Sequence, residues 1–174
     1  MHKHAEYYED KGGGKLMQTT DVKGYHLSLQ QARLWTLQGK SQASSTQCAV
    51  WLKGELDLSA LLDALQSLVR QYELLRTAFH CLPGMELPVQ VVTSNVEVCY
   101  RVIDLENLSA SDQITYLDEY LTSLRQKTPD LEARSLLFAS LLHFSRDVHL
   151  VVTHLPALCA DGYTLMRLVW ELSQ

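Results

Sequence analysis

The sequence predicts an α+β fold in which helices cover a mixed or antiparallel sheet. Apolar residues recur at steps of three and four between 58 and 75, which is typical of a helix that buries one face. Two apolar runs, 136–144 and 148–155, are separated by only three residues, which indicates an antiparallel hairpin buried on both faces. Strands and helices interleave without a strict strand–helix–strand repeat, so the hairpin is expected at the centre of the sheet.

The other elements follow from the same patterns. A short helix is predicted over 27–38, because Ser28 is a good N-cap residue and Gly39 a good helix terminator. Residues 47–56 alternate as a half-buried strand does, and Asp57 is placed to cap the long helix that follows. The remaining predicted elements are two short strands, a helix that begins near a serine and a final helix: 87–93, 96–103, 114–124 after Ser109 or Ser111, and 164–172.

Length, charge and apolar content exclude several classes of protein. A chain of 174 residues with 47% apolar content can form one domain with a real core. Its 15 basic and 20 acidic residues give a net charge of -5, so we expect neither a nucleic-acid partner nor binding to an anionic membrane. No run approaches the ~18 to 20 apolar residues of a membrane span.

The two ends of the sequence differ in character. Residues 1–24 mix charge with three consecutive glycines and predict a flexible leader or docking tail, whereas 25–174 form the ordered domain. The opening segment lacks the apolar stretch of a secretion signal, so we expect a cytoplasmic protein.

Four widely separated cysteines without a CxxC pair favour reduced, packed thiols and no bound metal: Cys48, Cys81, Cys99 and Cys159.

Three segments occur in an order that is found in a known family. Residues 27–35 read LSLQQARLW, residues 73–79 read ELLRTAF, and 130–133 is followed by a pair of leucines at 136–137. The first resembles the opening motif SxAQxRLW of the condensation domains of nonribosomal peptide synthetases. The second resembles their motif RHExLRTxF, and the third resembles the segment that enters their central hairpin. The side chains that the resemblance assigns to the first motif and the tunnel are Ser28, Gln31, Arg33 and Trp35.

The family's HHxxxDG landmark corresponds to residues 156–162, which read PALCADG. The second histidine of this motif orients the attacking amine and accepts its proton or stabilises the tetrahedral intermediate. Here Pro156 and Ala157 stand in place of the two histidines, and a methyl group can do neither task. The resemblance therefore implies a degenerate site whose activity is altered or lost, with a strand end that Pro156 reshapes.

Two residues of the landmark are retained. The resemblance implies that Asp161 forms a structural salt bridge with Arg76 of the second motif, and that Gly162 permits a tight turn into the last helix. It also implies a fold like chloramphenicol acetyltransferase, in which two lobes form a V around a tunnel. The chain ends where the first of these lobes is expected to end, so the C-terminal lobe is absent from it.

Two nearby side chains are alternatives for the missing imidazole. His154 lies two residues before Pro156, about 6 to 7 Å back along the strand, and is either a substitute base or a hydrogen-bonded core or tunnel-wall histidine. Cys159 is either an activated thiol or a small packed residue, and no basic neighbour in the local sequence favours a thiolate. The other histidines of the domain have no metal or triad spacing and are expected to be structural or exposed: His26, His80, His143 and His149. Three aromatic residues at helix-packing spacing are expected in the core: Trp35, Tyr163 and Trp170.

The resemblance implies a definite activity. Condensation domains join a carrier-bound acyl or peptidyl thioester to a carrier-bound amine and form an amide. The expected partners are carrier proteins bearing 4'-phosphopantetheine, and this chain is expected to bind no cofactor itself. One alternative is a non-catalytic docking or scaffold module, whose exposed apolar face recruits carrier proteins, neighbouring synthetase domains or a second copy. Another is that the chain is a piece of an active enzyme.

Overall fold

A computed structural model describes residues 24–38, 44–94, 96–132 and 135–172. The predicted α+β class is confirmed, since strands and helices interleave along these residues. In chain order the elements are β1 (Gly24–His26), α1 (Leu29–Gln38), β2 (Ser45–Lys53), α2 (Leu58–Gln71), a 3₁₀ helix (Glu73–Arg76), β3 (Thr77–His80), β4 (Val89–Val92), β5 (Cys99–Asp104), α3 (Ala110–Gln126), β6 (Phe138–Ser145), β7 (Val148–Pro156) and α4 (Gly162–Leu172).

The predicted hairpin, β6 and β7, lies at the centre of a four-stranded sheet. The strand order is β2-β7-β6-β5, and the two outer pairings differ because β2 is antiparallel to β7 whereas β5 is parallel to β6. The sheet is therefore mixed. A second, antiparallel sheet has the order β1-β4-β3.

Strand β7 is buried on both faces, as its apolar run predicts. Leu155 packs with α2 and α4, in a cluster that contains Leu68 and Leu168. Leu150 and Val152 point to the opposite face and pack against α3. The helices therefore cover both faces of the sheet, and the end of β7 is held between them.

Helix caps appear where the sequence predicts them. The Asp57 carboxylate accepts a hydrogen bond of 3.1 Å from the amide of Ala60 at the start of α2. The hydroxyl of Ser109 accepts one of 3.2 Å from the amide of Asp112, so it is Ser109 rather than Ser111 that caps α3.

The long helix is shorter than its apolar spacing predicts. Tyr72 adopts an extended conformation with φ -101° and ψ 105°, which ends α2 at Gln71. The chain continues through the 3₁₀ helix into β3, a strand that no pattern in the sequence predicts. Leu75 is still buried, so the apolar spacing continues although the helix does not.

The expected burial of two aromatic residues is wrong, and the boundary of the predicted leader is shifted. Tyr163 and Trp170 are exposed on α4, whereas Trp35 is buried as expected. Gly24, predicted to belong to the leader, pairs with Val91 in the second sheet. The rest of the predicted leader and the helix end at Gly39 lie outside the described residues. Along the part of the chain that is described, no helix combines the length and apolar character needed to cross a bilayer.

Candidate functional site

The segment 156–162 forms a turn between the end of β7 and the start of α4. Pro156 is the last residue of β7 and lies opposite Ser45 of β2. The amide of Ala157 donates a hydrogen bond of 2.8 Å to the carbonyl of Ser44, and the amide of Cys159 donates one of 2.9 Å back to the carbonyl of Pro156. Backbone bonds thus set the path of the turn beside β2.

Helix α1 is tied to this turn through Gln31. The side-chain amide of Gln31 donates a hydrogen bond of 3.1 Å to the carbonyl of Leu158. The side-chain oxygen of Gln31 accepts one of 2.9 Å from the amide of Ser28, whose hydroxyl accepts one of 3.2 Å from the amide of Gln31. This reciprocal pair is a capping box at the start of α1. Gln31 of the first motif therefore bonds directly to the backbone of segment 156–162, and Ser28 holds Gln31 in place.

The other two residues of the first motif have different surroundings. Trp35 is buried in a cluster with Phe79, Leu158 and Cys159, so its indole packs against the turn from inside the core. Arg33 is exposed on α1. The structure thus brings Gln31 and Trp35 to the turn, keeps Ser28 at the start of α1 beside Gln31, and leaves Arg33 at the surface.

Ala157, the residue that the resemblance aligns with the second motif histidine, is half-buried. Cys159, two residues later, is 2% exposed, and burial raises the pKa of its thiol to about 12. A thiol with that pKa is almost wholly protonated at neutral pH and is a poor nucleophile. This environment agrees with the interpretation of Cys159 as a small packed residue rather than an activated thiol.

His154 lies on β7 on the same face as Leu150 and Val152, which faces α3. Its side chain is buried, and Nε2 has no hydrogen-bond partner among the described residues. Loss of hydration lowers the pKa of His154, and the nearby charge of Lys127 lowers it further. A backbone hydrogen bond involving Leu124 acts in the opposite direction. His154 is therefore favoured as a neutral imidazole under α3.

The predicted salt bridge between Asp161 and Arg76 is not formed. Asp161 instead caps α4, because its carboxylate accepts hydrogen bonds of 2.8 Å from both the amide and the hydroxyl of Thr164. These bonds lower the pKa of Asp161, the one from the Thr164 amide most of all. Arg76 donates to the carbonyl of Thr93 at 3.1 Å and pairs with Glu73 at 3.5 Å. Asp161 and Arg76 each bond to other residues, so the salt bridge that the resemblance implies is wrong here.

Two contacts of the turn have no signal in the sequence. The hydroxyl of Thr46 donates to the carbonyl of Ala160 at 3.4 Å, and the side-chain amides of Gln31 and Gln90 lie 3.2 to 3.3 Å apart. The pairing of β2 with β7 brings Thr46 to the turn, and the approach of β4 to α1 brings Gln90 to Gln31. A groove of about 620 Å³ lies elsewhere, between α2 and residues 94–100, and none of residues 154–162 lines it.

Comparison with known proteins gives one family. Residues 22–174 match the family model described as Condensation domain. The chain is 29% identical over 166 residues to Surfactin synthase subunit 2 of Bacillus subtilis (strain 168), a match that covers 93% of this chain and 4% of that protein. It is 30% identical over 148 residues to Chondramide synthase cmdD of Chondromyces crocatus, with 83% and 4% covered. The chain thus spans a small part of these relatives.

A solved structure gives the same result for the fold. The condensation domain of Monacolin K polyketide synthase MokA superposes with a TM-score of 0.75 at 25% sequence identity. The match covers 88% of this chain and 34% of that chain. The expected lobe of a chloramphenicol-acetyltransferase-like fold is confirmed by this likeness, and the chain spans about a third of the solved protein.

Proposed function

Because the chain belongs to the condensation domain family, we propose that it acts as the N-terminal lobe of a condensation domain in a nonribosomal peptide synthetase or a hybrid peptide and polyketide assembly line. The reaction of such a domain would be amide formation between a carrier-bound thioester and a carrier-bound amine. The partners would be carrier proteins that present their substrates on 4'-phosphopantetheine arms.

We further propose that this lobe does not itself supply the proton acceptor of that reaction. The observation that carries this proposal is Ala157 at the turn after β7, where the motif of the family has its second histidine. A methyl group neither accepts a proton from the amine nor donates a hydrogen bond to an oxyanion.

Neither of the two candidate substitutes supports a catalytic role. His154 is buried on the α3 face of β7, about 6 to 7 Å back along the strand from Pro156. Cys159 is buried, with a pKa raised to about 12. The lobe is then a wall of the substrate tunnel and a part of the carrier docking surface, and its activity is lost or depends on another group.

The test is amide formation by the natural polypeptide that contains this lobe, with donor and acceptor carriers loaded and the product followed by mass spectrometry. We expect no amide above background from the unchanged protein. Ala157→His should restore product formation, whereas the matched control Pro156→His should not. Product formation by the unchanged protein that is abolished by His154→Ala would contradict the proposal.

A second candidate function, a docking or scaffold module, is favoured by one surface of α4. Three apolar side chains lie there at steps of three and four residues and are 78%, 72% and 62% exposed: Tyr163, Met166 and Trp170. A row of large apolar groups on one helix face is typical of a surface that another protein covers. In this function the lobe recruits a neighbouring synthetase domain or a second copy of itself without performing chemistry.

The oligomeric state separates these functions when the chain is studied alone. Light scattering after size exclusion should show self-association that Met166→Glu weakens, because the new charge lies in the exposed row. Gln30→Glu, an exposed position on α1, is the matched control and should have no effect. A monomer at all concentrations that also fails to bind the adjacent synthetase domains would contradict the docking function.

A further inference from the structure

Three side chains of metal-ligating type meet at the carboxyl ends of β5 and β6, away from the turn described above. Asp104 and His143 are register partners on these two parallel strands, and Glu106 follows two residues after the end of β5. One ligand atom of each side chain lies within 4.8 Å of those of the others, and Nε2 of His143 is 3.8 Å from Oε2 of Glu106.

A buried neighbour sets the orientation of the His143 ring. Nδ1 of His143 lies 2.9 Å from Nδ1 of His149, whose side chain is 3% exposed. Nε2 of His149 lies 3.2 Å from the carbonyl oxygen of Gly54. A carbonyl only accepts, so Nε2 of His149 carries the hydrogen, and Nδ1 of a neutral His149 ring accepts. Nδ1 of His143 is then the donor of the bond between the two rings.

This chain of hydrogen bonds places a lone pair on Nε2 of a neutral His143 ring. This atom is 3.8 Å from a carboxylate oxygen of Glu106, and a carboxylate oxygen of Asp104 lies within 4.8 Å of both. Three electron-rich atoms at such distances form a site that a positive charge between them would stabilise. A proton on Nε2 satisfies one carboxylate, whereas a divalent cation satisfies all three ligands.

We propose that Asp104, Glu106 and His143 bind a divalent cation of the Zn²⁺ class. Imidazole together with carboxylate oxygens suits zinc better than magnesium or calcium, which prefer oxygen ligands only. His149 has the position of the outer partner that holds a metal-binding histidine in one tautomer. Nothing in this site depends on the proposed amide-forming function.

The three ligand atoms need to move only slightly closer together to bind zinc. Zinc–ligand distances of ~2.0 to 2.2 Å place tetrahedral ligands roughly 3.4 Å apart, somewhat closer than the atoms are here. The Glu106 side chain is 54% exposed and can move inward by rotation. One Asp104 oxygen accepts from the amide of Glu106 at 3.0 Å, which leaves its second oxygen for the metal. Asp104 and Glu106 are exposed, so a water molecule can supply a fourth ligand, and the bound ion would tie the segment after β5 to the end of β6.

The test is calorimetric titration of the full 174-residue chain with zinc chloride, in parallel with thermal unfolding. We expect one high-affinity site per chain and a Tm that rises with zinc concentration. His143→Ala should abolish this site, Glu106→Gln should weaken it about tenfold or more, and His149→Gln should weaken it by about 10- to 100-fold. Magnesium and calcium chlorides should bind far more weakly than zinc.

Two controls separate this site from other histidines. The double change His2→Ala with His4→Ala removes the histidines of the leader, and His26→Ala removes an exposed one at β1. Both variants should retain the site. Glu106→Gln changes an exposed side chain, so it keeps the test decisive even where His143→Ala impairs folding. Zinc binding that is absent, that survives Glu106→Gln unchanged, or that disappears with the leader histidines would overturn the proposal.

Discussion

The side-chain amide of Gln31 donates a hydrogen bond of 3.1 Å to the backbone carbonyl of Leu158, and this bond ties the first helix to the turn after the central strand. The two residues are 127 positions apart in the chain. The same side chain also forms the capping box with Ser28. One glutamine therefore stabilises both the start of α1 and the turn between β7 and α4.

Removal of this glutamine side chain should destabilise the lobe. We expect Gln31→Ala to lower the free energy of unfolding by about 1 kcal/mol, since the part-buried carbonyl of Leu158 loses its donor. The matched control is Gln30→Ala, an exposed neighbour on the same helix, which should change it by less than about 0.5 kcal/mol. Urea unfolding measures both. Equal effects would show that the bond to Leu158 contributes nothing.

The cysteines should differ sharply in reactivity. Cys81 and Cys99 are exposed, so iodoacetamide should label them rapidly at pH 8 in the folded protein. Cys159 is buried with its pKa raised to about 12, so it should react only after unfolding. Peptide mass spectrometry over time resolves each site. Native labelling of Cys159 at the rate of Cys99 would restore the activated-thiol hypothesis.

His154 should make the stability of the lobe depend on pH. Its pKa is lowered in the folded state from the ordinary value of 6.5, so the unfolded chain binds a proton first as the pH falls. Stability from the neutral ring is present above pH 6.5 and decreases below it, toward the folded pKa. His154→Leu should flatten this part of the profile, whereas His26→Ala should not. Urea unfolding between pH 7.5 and 5 gives the slopes, and identical slopes for His154→Leu and the unchanged chain would refute the effect.

Asp161 and Arg76 should behave as independent residues. Asp161 caps α4 and Arg76 bonds to Thr93, so the effects of Asp161→Ala and Arg76→Ala on unfolding should add. A double-mutant cycle measures this directly. A coupling energy clearly above the experimental error would show that the salt bridge expected from the family does form in solution.

Helix α4 should tolerate changes on one face and not on the other. Leu168 is buried in the main core cluster, so Leu168→Ala should cost about 2 to 5 kcal/mol. Met166 is 72% exposed, and Met166→Ala should change stability by less than about 0.5 kcal/mol. Thermal unfolding compares the two. A large loss from Met166→Ala would mean that this face is already covered in the isolated chain.

The local pattern of the sequence predicts much of the fold. Spacing places α2, α3, α4 and the central hairpin, and Asp57 and Ser109 identify helix starts, because capping and amphipathic periodicity depend on nearby residues. It does not predict β3, since four residues after a 3₁₀ helix have no period of their own. The apolar spacing alone also fails to separate Leu168, which is buried, from Trp170, which is exposed on the other side of α4.

The sequence by itself determined the family motifs, the α+β class and the absence of histidine at positions 156 and 157, because these are properties of residue identity and local order. Only the tertiary structure decided which polar side chains meet. The side chain of Gln31 bonds to Leu158, Arg76 bonds to Thr93 rather than to Asp161, and the ring of His149 holds His143 beside Glu106. Such pairs depend on how strands and helices pack, and the short reach of a hydrogen bond makes that packing decisive.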